Sequence, residues 1–244
     1  MISTVSEEWS SARKGYDMLL DLITSKGNFT DVLIGLMASV FVIFCTLPIH
    51  EFAHAWVATK LGDDTARLKG RLTLNPLAHI DILGAAMILL VGFGYAKGVP
   101  VNARRFKNPK SGMALTALAG PSANIVMAFF FLLLSNGAVL LYSGSQALVW
   151  YVSYMFFYYA AMINVSLAVF NLLPIPPLDG SKILAIIIPA KYYFKYMQYE
   201  RYVILGVFLL IVLGVLDIPL SFLTGIIMNG IKWLADLPFN LFLK

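Results

Sequence analysis

The sequence predicts an all-α polytopic membrane protein, with about five to six transmembrane helices and a short re-entrant or hairpin segment near residues 82–102. Of its 244 residues, 59% are hydrophobic and 13% are charged, whereas soluble domains carry about 25% charged residues. Residues 111–178 contain no Asp, Glu, Lys, Arg or His. Since one transmembrane helix needs about 20 apolar residues, this stretch can cross a bilayer twice. The lipid bilayer is therefore the expected environment of the chain.

The order of the apolar runs predicts that the chain has two regions. Residues 1–30 are interrupted by acidic side chains and lack a long apolar core, so they predict a retained polar or amphipathic segment instead of a signal peptide. Residues 31–244 are predicted to form one membrane-embedded domain. Its long apolar runs are residues 32–60, 113–134, 148–173, 202–216 and 219–235.

The basic residues predict which ends of these runs face the cytoplasm. Lys and Arg cluster in residues 60–71, 97–110 and 182–201, and the turn at residues 135–147 has none. Basic segments near the ends of membrane helices tend to stay inside the cell, so all three clusters are expected there. The same rule accounts for the net charge of +5, and no nucleic-acid partner is expected.

The short apolar segment at residues 82–96 has basic residues on both flanks. Both flanks are therefore expected on the inner side, which predicts that the segment enters the membrane and returns. Irregular backbone at that depth is tolerated where protein covers it or where it lines a wet cavity. The alternative is a short full span, which would leave one basic flank outside.

A metal-ligand pattern lies inside the first apolar run, in the stretch LPIHEFAHAW at residues 47–56. Helical residues four apart differ by about 40° in direction and about 6 Å in height, so His50 and His54 can bind one cation. Glu51 follows the first of them and can act as the general base of a metal-dependent hydrolase. Ionisable groups inside a membrane helix are costly and usually mark a functional site.

Catalytic zinc usually takes three protein ligands and keeps one position for water. The sequence offers two candidates for the third ligand, namely the one remaining histidine, His79, and Asp179 in the stretch NLLPIPPLDG. Both lie on the inner side by the charge pattern, so membrane depth excludes neither of them.

Three stretches in this order resemble the site-2 protease family of intramembrane zinc metalloproteases: HEFAH at residues 50–54, AGPSAN at 119–124 and NLLPIPPLDG at 171–180. NPLAHIDILG at residues 75–84 and the following GVPVNARRFKNP resemble the compact prokaryotic branch of that family, which lacks a PDZ domain. Ile82 departs from this pattern, because relatives often carry a proline there, and the turn into the following segment is affected.

The resemblance implies one Zn²⁺ per chain, held by His50, His54 and Asp179, with Glu51 as the general base. It also implies that Asn171 helps to hold the substrate or the transition state. Asn124 and His79 match further family positions and are additional candidates for binding the substrate or the transition state.

The function implied by the resemblance is an intramembrane endopeptidase that hydrolyses peptide bonds in or near transmembrane segments of membrane proteins, in regulated intramembrane proteolysis. Its active site would open toward the cytoplasm of a cell-membrane protein. The stretch GVPVN, residues 98–102, is a hypothetical edge that pairs with an unwound substrate. The alternatives are a metal-binding or transport protein that uses the same ligands without proteolysis, and an inactive protein that captures membrane segments.

Overall fold

The computed structural model of the chain describes residues 29–91, 96–184, 186–189, 192 and 198–240. Every regular element in these residues is helical, which confirms the predicted all-α class. The helices are α1 Phe29–Phe41, α2 Leu47–Lys60, α3 Thr65–Leu68, α4 Pro76–His79, α5 Ile82–Val91, α6 Pro109–Ser145, α7 Leu148–Leu172, α8 Asp179–Leu184, α9 Glu200–Val212 and α10 Asp217–Asp236. A π-helical turn, Val42–Thr46, joins α1 to α2, and a 3-10 turn, Ala103–Arg105, precedes α6.

Four helices in the described residues are long and apolar enough to cross a membrane, which confirms the polytopic membrane fold. They are the continuous helix Phe29–Lys60, made of α1, the π-helical turn and α2, and the helices α6, α7 and α10. The predicted span at residues 202–216 corresponds to α9, whose 13 residues extend about 20 Å. This is less than the roughly 30 Å of a bilayer core, so the described residues hold fewer full spans than the five to six predicted.

The domain boundaries stay predictions. The N-terminal segment, residues 1–30, lies outside the described residues apart from its last two, which begin α1. The remaining residues, 31–244, are predicted as one domain, and the helices described within them pack around a shared core.

The segment at residues 82–96, predicted to enter the membrane and return, begins with a short helix, and its two flanks are in contact. Its helix, α5, has 10 residues and a length of about 15 Å, half of a bilayer core. The backbone N–H of Lys97 donates to the carbonyl of His79 at 2.8 Å. Because the two ends of the segment meet, residues 79 and 97 lie at the same side of the bundle, as the predicted hairpin near residues 82–102 requires.

Helix α7 is the centre of the bundle. Its residues 160–170 are buried all round, as expected for a helix that packs against neighbours on every face. Small side chains at the helix contacts, including Ala38, Ala128 and Ala160, are 0% exposed and allow the helices to approach closely. Helix α7 therefore gives a fixed support for the loop that follows it and leads to Asp179 at the start of α8.

The π-helical turn lies directly before the residues of the metal-ligand pattern. Pro48 has no N–H, and its ring crowds the preceding turn of a regular α-helix. The wider turn accommodates this, since the N–H of Leu47 donates to the carbonyl of Val42, five residues back. Helix α2 consequently continues α1 without a break and carries its histidines into the bundle.

Two of the three basic segments lie together at one end of the bundle. The Arg71 guanidinium donates to the carbonyl of Gly98 at 3.0 Å, and the Asp63 carboxylate accepts from the N–H of Asn102 at 2.5 Å. The basic loops on either side of the hairpin therefore share one face, as the charge pattern requires.

Candidate metal centre

Helix α2 places three ionisable side chains of the metal-ligand pattern inside the protein. His50, Glu51 and His54 are 3%, 5% and 7% exposed. They lie close enough to one another to surround a single ion, as the helical spacing predicts. His54 is six residues before the end of α2, so it lies about 9 Å along the helix from the basic end of the bundle.

Asp179 reaches the same point from the end of α7. Its Oδ2 atom lies 3.0 Å from His54 Nε2 and 3.5 Å from His50 Nε2. Gly180 makes this approach possible, because a Cβ atom there would lie 2.2 Å from the carbonyl oxygen of Leu172. The glycine allows the start of α8 to pack directly on the end of α7, which brings the carboxylate to the histidine pair.

The three facing atoms have the spacing of metal ligands. The two Nε2 atoms lie 3.0 Å apart, and Asp179 Oδ2 completes a triangle with sides of 3.0 and 3.5 Å. Ligands at about 2.0–2.2 Å from a tetrahedral zinc ion are separated by about 3.3 Å. His50, His54 and Asp179 could therefore hold one zinc ion with little rearrangement.

A backbone hydrogen bond prepares His54 for this role. Its Nδ1 lies 2.7 Å from the carbonyl oxygen of Thr116 on α6, and a carbonyl can only accept. Nδ1 therefore carries the proton and donates, which leaves the lone pair on Nε2 facing His50 and Asp179. Lone pairs that converge in this way repel one another unless a cation lies between them, so the donor set fits a metal.

Gly120 on α6 forms the wall beside the histidine pair. A Cβ atom at this residue would lie 2.3 Å from His54 Nε2 and 2.6 Å from His50 Nε2. Any larger side chain would therefore occupy the space of the imidazoles. The glycine of the AGPSAN stretch is required by the close approach of the backbone to the site.

Glu51 faces a cavity of about 210 Å³ next to the three candidate ligands. Its Oε2 accepts a hydrogen bond of 3.1 Å from the backbone N–H of Val99. Val99 belongs to the segment of residues 96–102, which has no helical or strand structure, lines one side of the cavity and is called the strap below. The cavity is also lined by Met113, Ala117, Asn171, Pro177 and Lys182.

Lys182, one turn after Asp179 on α8, forms an ion pair with that carboxylate. Its Nζ donates to Asp179 Oδ1 at 2.9 Å, so Oδ2 is left for the histidines. The Lys182 ammonium favours the charged form of Asp179, because an opposite charge within hydrogen-bond distance stabilises a carboxylate. Asp179 is therefore a carboxylate, the form that binds metals.

The other candidate residues differ in their position relative to the cavity. Asn171 lines the cavity, and its Nδ2 donates to the carbonyl of Leu167 one turn earlier. Asn124 is buried one turn beyond Gly120, its Nδ2 has no partner among the described residues, and it lies outside the cavity lining. His79 is also buried outside that lining and lies 2.8 Å from the carbonyl of Thr73 through Nε2. Of the two candidates for a third ligand, Asp179 and not His79 lies beside the histidine pair.

Comparison with known proteins identifies the family. The sequence model of Peptidase family M50 matches residues 135–214. YwhC, a candidate zinc metalloprotease of Bacillus subtilis (strain 168), is 43% identical over 168 residues, which cover 67% of this chain and 74% of YwhC. The chain belongs to peptidase family M50. This M50 peptidase is also 32% identical over 154 residues to Rip2, a candidate zinc metalloprotease of Mycobacterium tuberculosis (strain H37Rv), covering 59% of the chain and 56% of Rip2. No solved structure matches it.

Family membership confirms the resemblance found in the sequence. The predictions of a metalloprotease, of zinc as its cofactor and of a membrane location are confirmed at this level.

Sequence reasoning missed several residues of the site. Thr116 contributes only a backbone carbonyl, and Val99 only an N–H, so neither side chain carried a signal. Lys182 was counted as part of a basic flank, and Gly120 is a common helix-packing residue. A buried charged residue in a loop, Asp63, was also missed, although the pair of aspartates after Gly62 is visible in the sequence.

The contact between Lys182 and Asp179 predicts a measurable effect on zinc affinity. Lys182→Met of the M50 peptidase should weaken zinc binding by about 10–100-fold, the usual effect of losing a residue that supports a metal ligand. Lys182→Arg keeps the cation and should stay within a few-fold of wild type. The measurement is the zinc retained by purified protein in competition with a chelator. Lys110→Met, at an exposed residue in the first turn of α6, is the control, and equal affinities for all three variants would contradict the assigned role.

Proposed function

We propose that this M50 peptidase is an intramembrane zinc endopeptidase, which hydrolyses peptide bonds in or near the transmembrane segments of other membrane proteins. The observation that carries this proposal is the position of the site. His50, His54 and Asp179 converge beside Glu51 and a cavity, and all of them lie among helices apolar enough to cross a membrane. This position makes a peptide segment in the bilayer or at its surface the substrate that fits the cavity best.

The proposed ligands are His50, His54 and Asp179, with one zinc ion per chain. Zinc bound there would polarise a peptide carbonyl and make water a better nucleophile at neutral pH. Thr116 orients one imidazole and Lys182 orients the carboxylate, so the ligand atoms are held in place before zinc or substrate arrives.

Glu51 is the proposed general base. One of its oxygens, Oε2, is occupied by the N–H of Val99, and the other, Oε1, takes the proton of the attacking water. The same carboxyl group then returns the proton to the leaving amine. A general acid–base group held within hydrogen-bond reach typically contributes about 10²–10⁴-fold to the rate.

Asn171 is the proposed contact to the substrate. It lies on the cavity wall at the end of α7, and one of its amide hydrogens binds Leu167, so the second amide hydrogen and the Oδ1 atom can bind a peptide. Asn124 and His79, which lie outside the cavity lining, would act on substrate binding through the helices that carry them.

The strap supports the hypothesis of an extended substrate. Peptide bonds in a helix are already hydrogen-bonded, so a transmembrane segment must unwind before hydrolysis. The backbone of residues 98–102 is non-helical and runs along the cavity, with Val99 and Val101 in its lining. An unwound segment of the substrate would pair with this edge as an added strand.

The proposed opening of the active site is toward the cytoplasm. Lys60, Lys110 and Lys182 all lie at the helix ends nearest to the site, and basic residues flanking membrane helices favour the cytoplasmic side. The short distance from His54 to this end, about 9 Å along α2, gives water a short path to the cavity.

Reconstituted protein tests the proposal. Purified protein in liposomes, mixed with a solubilised membrane-protein fraction, should produce new peptide termini within apolar segments. A zinc chelator should stop this cleavage, and added zinc should restore it. In inverted membrane vesicles, where the cytoplasmic face is outside, a chelator that cannot cross lipid should also inhibit. Cleavage confined to soluble loops, or insensitive to chelation, would rule the proposal out.

A further inference from the structure

Asp63 is a fully buried carboxylate outside the candidate metal centre. It follows the end of α2, and its residue is 0% exposed. A buried charge is stable only when hydrogen bonds and opposite charges compensate for the lost water. The compensating groups of Asp63 therefore indicate what this residue holds in place.

The partners of Asp63 come from its own turn and from the strap. Oδ1 accepts from the N–H and the hydroxyl of Thr65 at 3.0 and 2.5 Å. Oδ2 accepts from the backbone N–H of Asn102, the last residue of the strap, at 2.5 Å. The guanidinium of Arg105 lies 4.0 Å away. Burial raises the pKa of Asp63, but these donors outweigh it and hold the pKa below its ordinary value, so the acceptor stays charged.

The strap is held at its other end by different groups. The N–H of Lys97 donates to the carbonyl of His79 at 2.8 Å, and the Arg71 guanidinium donates to the carbonyls of Lys97 and Gly98. Between these two attachments, the N–H of Val99 donates to Glu51. The strap is therefore fixed at both ends while its middle touches the proposed general base.

Asp63 and Glu51 belong to the same rigid unit. The N–H of Asp63 donates to the carbonyl of Ala58 at 2.9 Å, which attaches the loop to α2, and Glu51 lies on α2 itself. Along the strap, Val99 and Asn102 are three residues apart, a distance of about 10 Å in extended backbone. The two carboxylates thus bind the strap at two points and determine its position along α2.

We propose that Asp63 is a positioning residue of the active site, which holds the strap along α2 so that the Val99 N–H stays on Glu51. This inference rests on the proposed function, because it assigns a consequence to the orientation of Glu51. Asp63 does not touch the cavity. Its effect on catalysis passes through the strap, and its effect on the strap itself can be measured without any substrate.

The neighbouring aspartate is a matched control. Asp64 is half-buried, directly precedes the short helix α3 and pairs with the exposed Arg67 of that helix at 3.0 Å. The side-chain contacts found for it among the described residues do not include the strap. Asp63→Asn and Asp64→Asn make the same chemical change one residue apart. Only Asp63→Asn replaces an oxygen that accepts from a backbone N–H with an amide nitrogen, which cannot accept.

The experiment is hydrogen exchange on the full-length protein, with the zinc content and the unfolding temperature measured on the same samples. Asp63→Asn should speed exchange of peptides covering residues 97–103 by about tenfold or more, with the helices of the bundle unchanged. It should lower kcat by about 10–100-fold, as expected when a catalytic group is misplaced by a fraction of an ångström to 1 Å, with zinc retained and KM little changed. Asp64→Asn should match wild type in all of these measurements.

Two results would overturn the inference. One is strap exchange in Asp63→Asn that equals the exchange in Asp64→Asn, and the other is a loosened strap with an unchanged kcat. If Asp63→Asn fails to fold, Thr65→Val removes one donor to Asp63 and should give the same changes at smaller size. Cleavage that survives Glu51→Gln would contradict the proposed function instead, and the exchange result would still decide whether Asp63 holds the strap.

Discussion

Glu51→Gln should lower the rate of peptide-bond cleavage by about 10²–10⁴-fold, the contribution of a general base. Glutamine has the size and shape of glutamate, and its carbonyl oxygen can still accept from the N–H of Val99. The strap and the cavity should therefore keep their arrangement. The proposed ligands His50, His54 and Asp179 are unchanged, so bound zinc should remain at the wild-type level.

The measurement compares cells that produce the wild type with cells that produce Glu51→Gln, using quantitative proteomics of membrane-protein fragments. Fragments that depend on the protease should disappear in the variant, while zinc analysis of the purified variant serves as the control. A metal transporter has no need for a base beside its ligands, so transport would survive the substitution. An unchanged set of fragments together with retained metal transport would favour the alternative function.

Gly120→Ala should abolish tight zinc binding and reduce activity by about a hundredfold or more, because a shift of 1 Å in a catalytic group can have that effect. The added Cβ would lie 2.3 Å from His54 Nε2 and 2.6 Å from His50 Nε2. These are the atoms that face Asp179. The imidazoles have to move away from the helix, and the triangle of donor atoms is lost.

The control for this variant lies on the same helix. Gly137→Ala adds the same methyl group to α6, where a Cβ meets no atom within 4 Å. Alanine is about 0.5–1 kcal/mol more favourable than glycine inside a helix, so this variant should be slightly more stable and should bind zinc normally. Competition with a chelator and thermal unfolding measure the two effects. Normal zinc affinity in Gly120→Ala would show that the backbone of α6 does not form the wall of the site.

The prediction of the hairpin shows which features of the fold can be predicted from charge and hydropathy. The two basic flanks of residues 82–96 indicate a segment that returns to its starting side, and the contact between His79 and Lys97 brings these flanks together. The number of spans was harder to predict. Hydropathy gives the length of an apolar run, but the residue at which a helix ends depends on the elements packed around it. The run at residues 202–216 therefore reads as a span, whereas its described part forms the short helix α9.

The third ligand shows the limit of sequence reasoning from spacing. His79 and Asp179 were equally possible by membrane depth, and only the resemblance to a family favoured Asp179. In the structure, the side chain beside the histidine pair is Asp179, whose carboxylate lies 3.0 Å from His54. His79 instead contacts the backbone carbonyl of Thr73. The choice depends on the path of the loop between α7 and α8. That path cannot be predicted from the periodicity of the sequence, because a loop has none.

The amino-acid sequence by itself determined the helical membrane class, the pairing of His50 with His54 beside Glu51, and the shared face of the two basic loops that flank the hairpin. These features depend on apolar run length, on charge and on the four-residue repeat of a helix, and all of them are local along the chain. Only the tertiary structure decided that Asp179 meets the histidines, that Gly120 must be small, that Val99 touches Glu51 and that Asp63 is buried. Each of these contacts joins residues far apart in the chain through the packing of helices and loops, and several of them use backbone atoms, which every residue type shares.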